Sequence, residues 1–491
     1  MTEYILLARD GIRGTAAQRS ALLNLPIATS TGDPQSATLE SVAGSPQISV
    51  VDTVHEDGPK LVEIDERVAE QLNESPQAPV RAVPVVYFEH PNPELSVANA
   101  NPAASGAVII RCQDAVTSAA VPNARIVAFT DYRRRRGAMG VTDSNGEVSL
   151  NLGGNPIERL YVYAPAGYWG AYRSSLTPSS PMTIDLTPVD LNYQDCVRFY
   201  YGATNFNRAT GVKVGVIDTG VGPHTDLNVN AGDSRNTVTG EPSADWHDGG
   251  THGTHVAGIV GSNGAPGTGL RGMAPGVEMV SYRVFPVGGG ASNYAILKAM
   301  IFAADSGCDI VNLSLGGGPA DPIVREAIDD ARHQGMLVVA AAGNGGRQPV
   351  SFPAAYGGVI AVSAMGREGT FPAGSLEDGE VLRPPDSSVD ADEFLAAFSN
   401  IGMQLNCTGP GVGVLSTLPK NLFGPMSGTS MAAPAVAGAA ACLLSQDTSI
   451  HGMPRDAQRA DALWNLLVHN CSKRGFGAQF EGAGLPDPAI V

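Results

Sequence analysis

Hydrophobic and polar positions change rhythm twice along the chain, dividing it into three regions. Residues 1–94 mix strand-like apolar runs at TEYILLA (2–8), ISVVDTV (48–54), KLVEID (60–65) and VRAVPVVYFE (80–89) with helical spacing near QRSALLNL (18–25) and ERVAEQLNES (66–75). That mixture predicts a small α+β unit. The linker HPNPELSVANANPAASG (90–106) ends it. Over 107–188 the pattern becomes short alternating strands, AVIIRC, ARIVAFT, EVSLNL, RLYVYA and MTIDL, separated by turns such as SNG at 144–146. A small β-sandwich follows from that spacing. From 191 to 491, strands and helices alternate, which predicts an α/β domain with a parallel sheet covered by helices on both faces.

Composition narrows the partners. The 491 residues exceed what one core usually serves, and 43% hydrophobic residues leave ample apolar surface for two or three domains. A formal charge of -17 argues against nucleic acid or an anionic membrane as a partner, since both need clustered Lys and Arg. The opening MTEYILLARDGIRG has no basic segment followed by an apolar stretch, and no later run approaches a membrane span. A cytoplasmic location is therefore expected, with export by a route that reads no N-terminal signal left open. Six scattered cysteines without a CxxC pair fit a reducing compartment.

Four segments of the last region carry candidate chemistry. VKVGVIDTG is a near-continuous apolar strand ending in Asp218, at the carboxyl edge where open α/β sheets place their sites. Taken alone, that carboxylate reads more readily as a turn or cap residue than as a catalytic one. DGGTHGTHVAGIVG sets His252 at the start of a helix, and HGTH lacks the HExxH arrangement and third ligand that a metal reading needs. GMLVVAAAGN ends another strand in Asn344, whose amide can donate a hydrogen bond. MSGTSMAAPAVAGAAACLL opens an alanine-rich helix with Ser430, where exposed amides favour a developing oxyanion. Ser430 alone could be an N-cap; beside the other three it reads as a nucleophile.

These segments, with NLSLGG at 312–317 and GTSMAAP around Ser430, resemble the subtilisin-like serine proteases over about residues 195–491. The resemblance implies a serine endopeptidase with Asp218, His252 and Ser430 as triad and Asn344 as oxyanion donor, active with no cofactor. It also implies that a peptide substrate adds as a strand between Gly288, Gly289 and Gly290 on one side and Leu313, Ser314, Leu315 and Gly316 on the other. Ala341, Ala342 and Gly343 would line one wall of the pocket before the cut. The same resemblance leaves open an alternative, a closed scaffold of this fold that acts mainly by binding.

Departures from the family pattern add further expectations. Where many members carry a calcium loop, this chain has SNGAPGTGLRG (262–272) with Pro266 in a ligand position, so Asp226 is read as a turn carboxylate in preference to a calcium ligand. Residues 366–393 look inserted, and their acidity and prolines predict a surface loop. The middle unit resembles the carboxypeptidase-regulatory-like β-sandwich, with Arg133 to Arg136 at a hairpin tip. Residues 1–94 resemble the propeptide that precedes many subtilisin-like domains. That likeness implies an intramolecular inhibitor and folding aid, whose final strand VVYFEHP (85–91) would lie along the substrate edges.

Overall fold

The computed structural model describes residues 2–24, 48–89, 94–100, 107–202, 208–382 and 388–488. In the N-terminal unit, β1 (Thr2–Ala8), α1 (Ala16–Leu23), β2 (Ser49–Thr53), β3 (Lys60–Ile64), α2 (Glu66–Glu74) and β4 (Val80–Pro84) build an antiparallel sheet ordered β2-β3-β1-β4. The unbroken apolar run of β1 has a simple cause. Leu6 and Ala8 face the unit's own helices, whereas Ile5 and Leu7 join a core shared with the C-terminal domain. Around that shared face, Lys298 pairs with Asp52 at 2.7 Å, Arg13 with Asp330 at 2.9 Å, and Arg81 with Glu326.

The run VRAVPVVYFE, expected as one strand, is two. It leaves the sheet after Pro84, and β5 (Tyr87–Phe88) pairs elsewhere. Asn293 makes the break by donating its side-chain amide to Pro84 O and accepting from Val86 N. His90 and Pro91, the end of the expected inhibitory strand, lie outside the described residues, as do residues 25–47 and 101–106 of the predicted elements and linker.

A short strand β6 (Asn99–Ala100) leads into the sandwich: β7 (Ala107–Asp114), β8 (Arg125–Asp131), β9 (Arg136–Val141), β10 (Glu147–Asn151), β11 (Ile157–Tyr163), β12 (Ala171–Leu176) and β13 (Met182–Leu186). Its two sheets run β10-β7-β13 and β12-β11-β8-β9-β6, enclosing Ile110, Ile126, Leu160 and Ile184. Arg133 to Arg135 form the turn between β8 and β9. Trp169 departs from this unit: it is 1% exposed and sits in the core of the C-terminal domain beside Tyr193.

That domain begins with α3 (Cys196–Tyr201) and β14 (Lys213–Asp218), then β15 (Arg235–Asn236), α4 (His252–Gly261), β16 (Glu278–Arg283), β17 (Ala291–Ser292), α5 (Asn293–Asp305), β18 (Ile310–Leu313), α6 (Pro322–His333), β19 (Leu337–Ala341), β20 (Val359–Arg367), β21 (Glu393–Leu395), β22 (Cys407–Pro410), β23 (Val414–Leu418), β24 (Leu422–Met426) and α7 (Thr429–Gln446). The main sheet is ordered β15-β16-β14-β18-β19-β20-β21, with β22 also on β20, and only β21 runs antiparallel. Helices cover both faces: one core gathers α4 and α7, the other α5 and α6. The chain passes from β14 to β16 on one side and then to β18 on the other, so the carboxyl end of β14 is a switch point where a cleft opens. Among the described residues, no helix is long and apolar enough to cross a membrane.

Candidate active site

Asp218 closes β14 and is 0% exposed. Its Oδ1 accepts from Thr219 N at 2.7 Å and meets His252 Nδ1 at 2.8 Å. His252 reaches it because α4 starts there and Gly253 lets the helix end press against the carbonyl of Gly220. Asp248 holds the approach, accepting from Thr254 N at 2.8 Å and from Thr219 Oγ1 at 2.8 Å. Burial by itself would lower the His252 pKa; the adjacent Asp218 carboxylate, and Asp248 behind it, reverse that and hold it above the usual histidine range. Asp248 was not singled out from sequence, although an acid four residues before His252 was visible in DGGTHGTH.

Ser430 stands in the first turn of α7, where backbone amides have no intrahelical acceptor. Its Oγ donates to Ser314 O at 3.4 Å and makes no hydrogen bond to His252, while Ser314 Oγ returns a bond to Ser430 O at 2.8 Å. Asn344 follows β19, and its Oδ1 accepts from both Thr429 N and Thr429 Oγ1 at 2.9 Å. That fixes the amide, with Nδ2 3.4 Å from where a β-carbon at Gly428 would stand. The four singled-out residues Asp218, His252, Asn344 and Ser430 thus converge on one end of the sheet.

The expected substrate edges fall unequally. Gly288 and Gly289 form a turn closed by Gly289 N to Pro286 O, and only Gly290 borders a paired strand, continued by Ala291 and Ser292. On the other side, Ser314 is tied to Ser430, Leu315 is buried, and Gly316 bridges to Glu89. Between these edges runs the chain's own β5, antiparallel to β17. Ala341, Ala342 and Gly343 are backed by Ser351 and Asn400, both of which donate to Ala342 O. A β-carbon at Gly343 would lie 2.5 Å from Asn400 Nδ2, so a larger wall is excluded there.

His255, the second histidine of HGTH, is buried, lies 3.0 Å from Val414 O and 3.1 Å from Gly424 O, and has its pKa pushed down to about 3 by burial. It ties α4 to the β23–β24 hairpin. Among the described residues, no group of three His, Cys, Asp or Glu side chains could hold a metal. In the loop at 262–272, Asp226 Oδ2 accepts from Leu270 N at 3.0 Å, and Gly264 and Gly269 close over it.

The segment 366–393 departs from a solvated loop; residues 383–387 lie outside the described residues. Glu377 and Glu393 are buried, the latter paired with Arg474 and accepting from Tyr200 Oη at 3.0 Å. Composition could not reveal this, because each acid is matched by a partner distant in sequence.

The sequence model of the subtilase family matches residues 209–484. The chain belongs to the subtilase family. Among its relatives, Subtilisin DY of Bacillus licheniformis is 39% identical over 244 residues, 49% of this chain and 78% of that protein. Subtilisin Savinase of Lederbergia lenta is 37% identical over 240 residues, covering 49% and 78%. Alkaline elastase YaB of Bacillus sp. (strain YaB) is 37% identical over 276 residues, covering 56% and 63%. As a subtilase the chain is a serine endopeptidase by class, and the family match starts only after the N-terminal unit and the sandwich.

Proposed function

We propose that this subtilase cleaves peptide bonds with Ser430 as nucleophile, His252 as general base and Asp218 as its orienting carboxylate, and that its own N-terminal unit keeps it latent. The 2.8 Å contact of Asp218 with His252 Nδ1 carries the catalytic reading, because it leaves Nε2 as the nitrogen able to accept a proton. Ser430 Oγ attacks the scissile carbonyl carbon while its proton passes to Nε2. Asn344 Nδ2 and the Ser430 amide donate to the oxyanion. The proton then goes to the leaving amine as the C–N bond breaks, and water activated by His252 releases the acyl group. No cofactor enters these steps.

Latency is supported by β5, which occupies the space between Ala291–Ser292 and Gly316 as an added strand would. The second reading, a permanently closed scaffold, draws on the same occupancy. Fluorophosphonate labelling separates them. The intact chain should react slowly and chain nicked after Glu89 and diluted quickly, with Ser430→Ala inert in both; absence of labelling in the diluted nicked chain would favour the scaffold.

A further inference from the structure

The turn that delivers Ser430 is held from two sides. On one, Asn344 takes both Thr429 bonds. On the other, Gly428 N donates to Gly411 O at 2.8 Å, and Ser427 Oγ accepts from Gly413 N at 2.9 Å while donating to Glu377 Oε1 at 3.1 Å. Glu377 is 4% exposed and belongs to the 366–393 segment, outside every motif that marks the site.

Glu377 is itself seated by the β-sandwich. The neighbouring Leu376 packs onto Gly170 and the Phe129–Tyr161 cluster, and Gly374 O accepts from Tyr172 N at 3.0 Å and Arg173 Nη1 at 2.5 Å. At Gly413 a β-carbon would touch Glu377 Cγ at 3.1 Å and Trp169 Cζ3 at 3.3 Å, so acid, turn and sandwich tryptophan meet at one point. A buried carboxylate that accepts from a hydroxyl in the nucleophile's own turn can fix that turn to within the fractions of an ångström that attack requires.

We infer that Glu377 is a positioning residue for Ser430, acting through Ser427, and that the β-sandwich supports catalysis by seating it. The inference rests on Ser430 being the nucleophile. It assigns the inserted segment an inward role in rate.

The test uses the full chain carrying Phe88→Asp, which sets a charge where Phe88 is buried and so frees the cleft, with a fluorophosphonate reporting on Ser430 and a peptide substrate for turnover. Ser427→Ala and Glu377→Ala should each slow phosphonylation and kcat about tenfold while KM stays within about twofold. Glu377→Gln keeps an acceptor oxygen and should stay within about threefold of the parent. Combining Ser427→Ala with Glu377→Ala should add less than about twofold, because both remove one link. Should Glu377→Ala fail to fold, Ser427→Ala reads the same bond at a partly exposed site. An unchanged phosphonylation rate in Ser427→Ala, even with a lowered melting temperature, would overturn the inference, and so would Glu377→Gln as slow as Glu377→Ala. A parent that does not label at all would refute the nucleophile assignment and this inference with it.

Discussion

Phe88 is fully buried against Gly318, so that a β-carbon at position 318 would lie 2.5 Å from Phe88 Cδ1. On the other side its carbonyl oxygen lies 2.7 Å from the β-carbon position of Gly290. Strand β5 is thus anchored by one aromatic side chain between two glycines. Phe88→Ala should weaken that anchor by about 3 kcal/mol, in line with emptying an aromatic site. The expected result is faster fluorophosphonate labelling of the uncut chain; an unchanged rate would mean that β5 does not control access.

Loss of Asn344 should act on the transition state, by removing the oxyanion donor and by freeing the Thr429 turn that it holds. Asn344→Ala is expected to lower kcat by about 10²–10³, the size known for losing one oxyanion donor, with KM little changed. Steady-state kinetics on the activated enzyme check this, and near-normal turnover would remove Asn344 from the site.

Activity should fall with pH at a higher value than sequence alone implies. From the reference histidine the loss is expected near pH 6.5. The carboxylates of Asp218 and Asp248 raise the His252 pKa despite burial, so protonation, and with it inactivation, sets in above that value as pH drops. The linked stability has the opposite direction. It is fully present below the unfolded pKa of about 6.5 and is lost as pH rises through the raised folded value. The ion pair therefore steadies the fold most where catalysis is weakest. A profile of kcat/KM flat down to pH 4 would contradict the assignment.

Chelation should leave turnover intact, because no step assigned to Asp218, His252 and Ser430 uses an ion, and Asp226 Oδ2 accepts from Leu270 N. Asp226→Ala should instead cost about 1–3 kcal/mol by stranding that amide. Calorimetry with and without EDTA tests both parts, and a reversible loss of activity on chelation would show a metal role.

Trp169→Ala should destabilise the C-terminal domain by about 3–5 kcal/mol, although Trp169 belongs by sequence to the sandwich. A chain starting at 190 should fold poorly for the same reason, and one starting at 107 should fold better. Equal stability of the two would refute this.

The residues proposed for catalysis could be singled out because each ends or begins an element with a plain signature. VKVGVID is apolar on both faces and so must be a central strand, which fixes where Asp218 emerges. GTSMAAP could only open a tightly packed helix. What stayed hidden were contacts between distant segments. Phe88 alternates as any edge strand would, and its partner Ala291 lies 203 positions later. Trp169 in YAPAGYWG reads as a residue of its own sandwich, and nothing in SLEDGE signals that Glu377 turns inward while Asp378 faces solvent.

Glu89 sits in the cleft, and a few residues on the chain is pinned again, with Leu95 N on Tyr163 Oη at 2.7 Å and β6 laid along β9. The described residues on either side, Glu89 and Leu95, are therefore each anchored. While the chain is whole, β5 faces the cleft at an effective concentration of roughly millimolar, whatever the amount of protein. One cut between the anchors turns that into an association of two molecules, governed by mass action. The severed enzyme would then be silent where it is crowded and would awaken on dilution.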